Sequence, residues 1–224
     1  MGYKNGTAHI SLDVARIMYK TDNEELKKVA LEAYDEDEII GNFRHILSFA
    51  DACDALDIHY SNALKILEEM EIASMASSAM FKLNIIRKAL NMKYELSLTK
   101  KTYTNEGDMI NIYYPYVAIV SKDYKRLNSL IKEDNVEVIG KIKADGEGFS
   151  VIGGYSNASD YDNLCNFSYD IKIGYNDANT AFLGCATEEI ANYFSSRFGM
   201  LIVQAQYADM VKDFEILESK YDII

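Results

Sequence analysis

The chain contains no tryptophan, one proline and three histidines in 224 residues, and its 23 basic side chains are outnumbered by 35 acidic ones. Each shortage narrows the function. Nucleic-acid affinity rests mostly on Lys and Arg neutralising phosphates, so a net charge of -12 disfavours a nucleic-acid partner and an anionic membrane surface alike. The imbalance is steepest over 151–224, with 4 basic residues against 11 acidic ones. No run of about 18 uncharged apolar residues occurs, so no membrane span is expected. The opening "MGYKNGTAHISLDVARIMYK" sets polar and charged residues where a secretory leader needs an apolar stretch. Gly6 stands where the myristoylation pattern wants Ser or Thr. These readings place the chain in a cytoplasm, with no membrane partner.

Cysteine is scarce as well. Cys53, Cys165 and Cys185 are an odd number, far apart and without a CxxC, so neither a disulfide framework nor a zinc site is indicated. Phosphate-binding glycine loops, zinc-protease helices and hydrolase elbows are also missing from the sequence. Asp160 and Asp162 stand in the alternation of a calcium loop, but Leu164 breaks it and the required glycine is absent. The reading is therefore of a non-enzymatic protein with no cofactor and no metal.

What is present is a 49% apolar chain, ample for a buried core, whose grammar changes part-way along. Through residue 92 the periodicity is helical. Ser11 caps a helix carrying Leu12, Ala15 and Met18 or Tyr19, and Asn23 caps one carrying Leu26, Val29, Ala30 and Ala33. "DEDE" at 35–38 favours a short helix start. Ser48 and Asp51 form a partial capping box, Ile58 to Tyr60 form a connection, and Ser61 caps the next helix. The longest helix runs from about Met75 to Asn91 on a stripe of Met75, Ala79, Leu83, Ile86 and Leu90, with Lys82, Arg87 and Lys88 left for solvent.

Beyond Met92 the pattern is β-type. "INIYYPYVAIV" is rich in β-branched and aromatic residues, and Pro115 within it predicts an edge strand or a break. "VEVIGKIKADGEGFSVIGGY" predicts two strands around Asp145-Gly146, and Tyr169 to Tyr175 a further one. Thr187 caps a closing helix, and "MLIVQAQY" beyond Gly199 reads equally as strand or as more helix. The fold class predicted is α+β: a helical N-terminal half, then an antiparallel β-sheet with one or two packed helices. The regions are 1–92 helical, 93–108 connecting and 109–224 α+β, as separate domains or as one continuous domain.

In "ISLDVARIMYKTDNEELKKVALEAY", "FKLNIIRKALNM", "YYPYV", "VEVIGKIK" with "VIGGY", and "AFLGCATEEIANYFSSRFGMLI" lies a resemblance to an uncharacterised family of gut Bacteroidetes and their phages or mobile elements. It spans most of the chain and implies a setting, the bacterial cytoplasm or a virion, without implying any chemistry.

Three features stand out as candidates. The 17 tyrosines include "YYPY" and others set among Gly, Asn and Ser, a mixture that gives rigid amphipathic contact area with adaptable hydrogen bonding. Tyr113, Tyr114, Tyr116, Tyr155 and Tyr161 are the candidate contact residues for a protein partner or a glycan, the alternative being tyrosines that fill a half-wet sheet face. Residues 49–67 have the look of a helix-turn-helix, with Ala63 and Ile66 towards the core and Ser61, Asn62 and Lys65 as candidate DNA contacts. Glu68, Glu69 and Glu71 oppose that reading by repelling phosphates. Cys185 lies just before a helix start, which favours a thiolate, but Glu188 and Glu189 oppose it and no histidine is near in sequence. An inert structural thiol is expected.

Overall fold

Side-chain caps fix where the helices begin. In the computed structural model, which describes residues 2–4, 7–94, 112–121, 137–159, 175–177 and 183–221, the Ser11 hydroxyl accepts from the Val14 amide to open α1 (Leu12–Tyr19). Asn23 accepts from the Glu25 and Leu26 amides to open α2 (Glu24–Ala33). An Asp35/Glu38 capping box opens α3 (Glu36–Ile40). The chain is mixed α+β, and it divides into two compact units, Met1–His45 and Ile46–Ile224.

The first unit holds α1 to α3 and a 3-10 turn at Phe43–His45. It also holds an antiparallel pair of strands, β1 (Gly2–Lys4) and β2 (Thr7–His9), which the helical reading of 1–92 missed. The two strands are three residues each, too short for an alternating pattern to register in the sequence. Ala15, Ala30 and Ile39 form the core of the unit, with Ile10, Met18, Tyr19 and Tyr34 packed around them. The Tyr34 hydroxyl donates to the Ile10 carbonyl at 2.9 Å.

The second unit contains the remaining helices and the main sheet, so the helical half of the sequence is not one unit. Its helices are α4 (Phe49–Ala55), α5 (Tyr60–Ala73), α6 (Met75–Leu90) and α7 (Glu188–Tyr207). Its strands are β3 (Ile112–Ser121), β4 (Glu137–Ala144), β5 (Glu147–Ser159), β6 (Tyr175–Asp177) and β7 (Glu215–Ser219), antiparallel in the order β6-β3-β5-β4-β7. Of the strand predicted at 169–175, only Tyr175 lies within the described residues, at the start of β6. The predicted connection 93–108 lies outside them after Tyr94.

Helix α7 is the centre of this unit. It lies on β3, β4 and β5 on one side and against α6 on another, while α4 and α5 pack on α6. Ile190, Phe194, Phe198, Leu201, Ile202 and Val203 are all buried along it. A helix apolar all round has no single stripe, which is why 200–207 read as strand or helix; the structure makes it helix. The helix continues through Gly199, and glycine is needed there because a Cβ would lie 2.3 Å from Ile139 Cδ1. Gly153 on β5 is needed for the same reason, its Cβ falling 2.6 Å from the Ser195 carbonyl.

Between helix and sheet sits a single hydroxyl. The β3–β5 register slips between Tyr116 and Ala118, so Gly153 and Gly154 together oppose Val117, and Gly154 takes a φ of 100°. The Gly154 amide donates to Ser195 Oγ at 3.0 Å, and that hydroxyl donates to the Tyr116 carbonyl. One fully buried side chain on α7 thus satisfies the backbone groups that the bulge takes out of the ladder.

Pro115 is accommodated in an interior strand without losing a bond. Tyr113 pairs with Cys185 through reciprocal amide–carbonyl bonds on the side of β3 away from β5. By alternation the Pro115 nitrogen faces that same outer side, where β6 reaches only Ala118–Val120. The Asp145-Gly146 turn has φ values of 51° and 82°, the two left-handed positions of a tight hairpin.

Candidate interaction surfaces

Residues 48–73 do form two helices and a tight turn. Ser48 caps α4, the Ile58 amide returns to the Cys53 carbonyl at 2.8 Å, and Asp57 adopts a left-handed φ of 56° in the turn. Asp tolerates that conformation better than most residues, so it fills a position usually given to Gly. The turn is complete by Ile58, and the first helical bonds close on the His59 carbonyl. His59 is therefore the N-cap of α5, and Ser61, the expected cap, lies inside the helix.

Ala63 and Leu67 are the buried residues of α5, four apart on one face. That axis of burial, flanked by half-buried Tyr60 and Met70, turns Ile66 outward to 46% exposure, so Ile66 does not face the core as its spacing suggested. At about 100° per residue, Asn62, Lys65, Glu69 and Ile72 lie on the outward half of the helix, and Ile66 lies on its flank. All five are exposed, Ile72 at 89%. Ser61, Glu68 and Glu71 are exposed beside them. The three candidate DNA contacts are thus accessible, alongside three carboxylates and two isoleucines.

The tyrosine set is dispersed by the fold. Tyr116 is buried, its backbone carbonyl accepting from Ser195, so it does not belong to a contact face. The physical reason is that β3 is buried on both faces from Pro115 to Val120. Tyr113 and Tyr114 are half-buried at the start of β3. The Tyr155 backbone pairs with Tyr116 in the β3–β5 ladder. Its side chain, and all of Tyr161, lie outside the described residues.

Cys185 is fully buried, and its Sγ lies 3.3 Å from the Leu183 carbonyl. Burial pushes the thiol up to about 12, against the opposing pull of the Asn91 hydrogen bond and the Arg87 charge. Desolvation therefore does what the sequence assigned to Glu188 and Glu189. Cys53 is buried too, and burial raises its thiol. Cys165 lies outside the described residues.

Nearby, Asn91 ties the end of α6 to the start of α7. Its Nδ2 donates to the Arg87 carbonyl at 2.7 Å, and its Oδ1 accepts from the Ala186 amide at 2.8 Å. Arg87 is half-buried, not left to solvent, and its Nε is a buried donor without a partner; Asn192 Oδ1 on α7 is a buried acceptor without one. Among the described residues no group of His, Cys, Asp or Glu is placed to hold a metal ion. None of the described helices is long and apolar enough to cross a membrane. Set against known proteins, the chain matches no protein-family model, no curated protein and no solved structure.

The surface that sequence reasoning missed is the C-terminal half of the outer face of α5. Its spacing predicts Ile66 inward, and nothing local marks Ile72. The available signal was the Ala63/Leu67 pair, which with a spacing of four fixes the buried axis and leaves both isoleucines off it.

Proposed function

We propose that the protein is a non-catalytic interaction module that binds another protein through the outer face of α5. The observation that carries this reading is Ile72, the most exposed large apolar side chain among the described residues at 89%, on the outward half of a helix whose flank also exposes Ile66. Exposed isoleucines on a helix held firmly by α6 form a pre-ordered contact surface, which lowers the entropy cost of binding. Glu68, Glu69 and Glu71 fix the chemistry of the partner: an apolar pocket rimmed by Lys or Arg. The setting implied by the resemblance, a phage or mobile element acting in a bacterial cytoplasm or carried in a virion, belongs to the same proposal.

Affinity capture with wild-type, Ile72→Ser and Tyr113→Ala/Tyr114→Ala proteins tests it. A partner lost with Ile72→Ser and kept by the tyrosine variant supports the α5 face. The opposite pattern moves the site to the start of β3, where a protein or glycan would meet the half-buried tyrosines.

A second reading, a DNA-binding regulator, is favoured by one observation: α4, the Asp57 turn and α5 leave Ser61, Asn62 and Lys65 accessible on the first two turns of the second helix. Retention of genomic fragments in a low-salt gel shift, reduced by Lys65→Ala and by added salt, is its test. Absence of retention removes it.

A further inference from the structure

Strand β7 is attached to the sheet differently from its neighbours. β4 and β5 bury Ile142, Phe149, Val151 and Ile152, whereas β7 leaves Glu215, Leu217, Glu218 and Ser219 exposed and only half-buries Ile216. Little apolar area therefore holds it. The β4–β7 ladder also slips between Lys141 and Ile142. Yet β4 is shaped for close cover: a Cβ on Gly140 would lie 2.4 Å from the Glu218 carbonyl of β7 and 2.4 Å from Met200 Sδ of α7, so β4 has given up a side chain where both crowd it.

The attachment is polar and concentrated just past the end of the strand. The Glu137 carboxylate on β4 accepts from Lys220 Nζ, from the Tyr221 hydroxyl and from Ser196 Oγ on α7. The Lys220 amide donates to the Ile139 carbonyl at 2.8 Å. Arg197, whose Nε donates to the Leu47 carbonyl, sets its guanidinium 4.6 Å from the Tyr221 ring centre, and Lys220 Nζ lies 5.1 Å from it. Lys141 pairs with Glu218 further along the strand.

We propose that β7 and the Lys220–Tyr221 turn form a strap over the β4 edge, latched by the Glu137 carboxylate and able to detach while α7 and the rest of the sheet stay folded. All three donors converge on one anion, so neutralising it weakens every latch contact together. Burial alone would raise the Glu137 carboxyl, but the Lys220 and Ser196 hydrogen bonds, the Lys220 charge and the Tyr221 hydroxyl hold it below the usual carboxylate range. The groups facing it are Lys220 and Tyr221 from the strap and Ser196 from α7; Arg197 joins only through the Tyr221 ring. A carboxyl lowered in the latched state contributes above its ordinary value and is lost as pH falls through the lowered one, so acid opens the strap. Lys220, raised by its bond to Glu137, stays charged throughout that range.

Hydrogen–deuterium exchange on the full chain tests this, comparing wild type, Glu137→Gln and Lys220→Met. At pH 7 both variants are expected to lower protection of the amides from Glu215 to Tyr221 by about ten-fold, the loss of one charge-assisted hydrogen bond. Amides of α7 from Phe194 to Val203 keep their wild-type protection. Between pH 6 and pH 3, a window that passes down through the lowered Glu137 carboxyl, and after correction for intrinsic rates, the wild-type strap loses protection and the Glu137→Gln strap does not. Unchanged strap protection in both variants overturns the proposal. Loss in the strap and in α7 together overturns it as well, because the strap would then not be a separate element.

Discussion

Helices α5 and α7 belong to the same unit and carry comparable apolar content, yet they do opposite things with it. α7 buries apolar side chains on every side, between the sheet and α6, and its own Gly199 together with Gly153 on β5 lets helix and sheet come together. α5 buries only Ala63 and Leu67 and holds Ile66 and Ile72 in solvent. Apolar surface costs free energy wherever water reaches it, so what is buried in α7 supports the fold and what α5 leaves out is available to something else. The comparison makes separable predictions: substitutions in α7 should act on stability, and those on the outer face of α5 on binding.

The largest effect is expected at Gly199. A leucine there would drive its Cβ into Ile139 and Val117, both wholly buried, so helix and sheet must move apart. Chemical denaturation of Gly199→Leu should show a loss of at least about 3 kcal/mol, more than ordinary overpacking, or no cooperative fold at all. Ser195→Ala comes next. It leaves the Gly154 amide and the Tyr116 carbonyl without their partner in a dry interface, at about 2–3 kcal/mol. Ser195→Thr keeps the hydroxyl, and denaturation of that variant separates lost hydrogen bonding from altered packing.

These two sites show what the sequence could convey. Caps and periods are local, and Ser11, Asn23, Ser48 and Thr187 open helices where their residue types predict. The Asp145-Gly146 hairpin is local in the same way, since the chemistry of two residues sets the turn. Gly199 leaves strand and helix equally open in the sequence because its use depends on Ile139, sixty positions earlier in the chain, and no window of neighbours contains that partner. Ser195 is one more polar residue in "NYFSSRFG" until the bulge opposite it is seen. Contact surfaces were harder still to read. Tyr116 has the residue type of a contact and the environment of a core, whereas Ile72 has the reverse, and burial is decided by packing that a single strand or helix does not encode.

Cys185 supplies a smaller effect that depends on pH. Its thiol stays protonated in the folded chain up to about 12, while in the unfolded chain a thiol ionises near an ordinary value of about 8.5. The folded state binds the proton more tightly, so the contribution is fully present below the ordinary value and is lost as pH rises towards 12. Stability should fall by about 1 kcal/mol per pH unit above pH 9, and Cys185→Ala, itself costing about 1–2 kcal/mol, should flatten that slope. The slope is measured by urea unfolding at pH 8, 9 and 10. Iodoacetamide at neutral pH should leave the native thiol unmodified over the time in which the unfolded chain reacts fully, and rapid native labelling would contradict the burial on which the slope depends.

The smallest effect on stability, and the sharpest test of the comparison, belongs to Ile72. A side chain 89% exposed gives up almost no buried area when shortened, so Ile72→Ser should change unfolding free energy by less than about 0.5 kcal/mol. β-branched Ile and Ser have similar helix propensities, so the backbone of α5 adds little. If α5 carries the contact surface, the same substitution should weaken partner binding by about ten-fold or more, the scale of an apolar anchor entering a pocket. Glu69→Lys on the same outer face should weaken binding through its on-rate, and the loss should shrink as salt is added. An Ile72→Ser variant that loses more than about 1 kcal/mol of stability would mean that Ile72 is covered in solution by something that holds the fold together. The contrast between a helix that supports the fold and one that offers a surface would then fail.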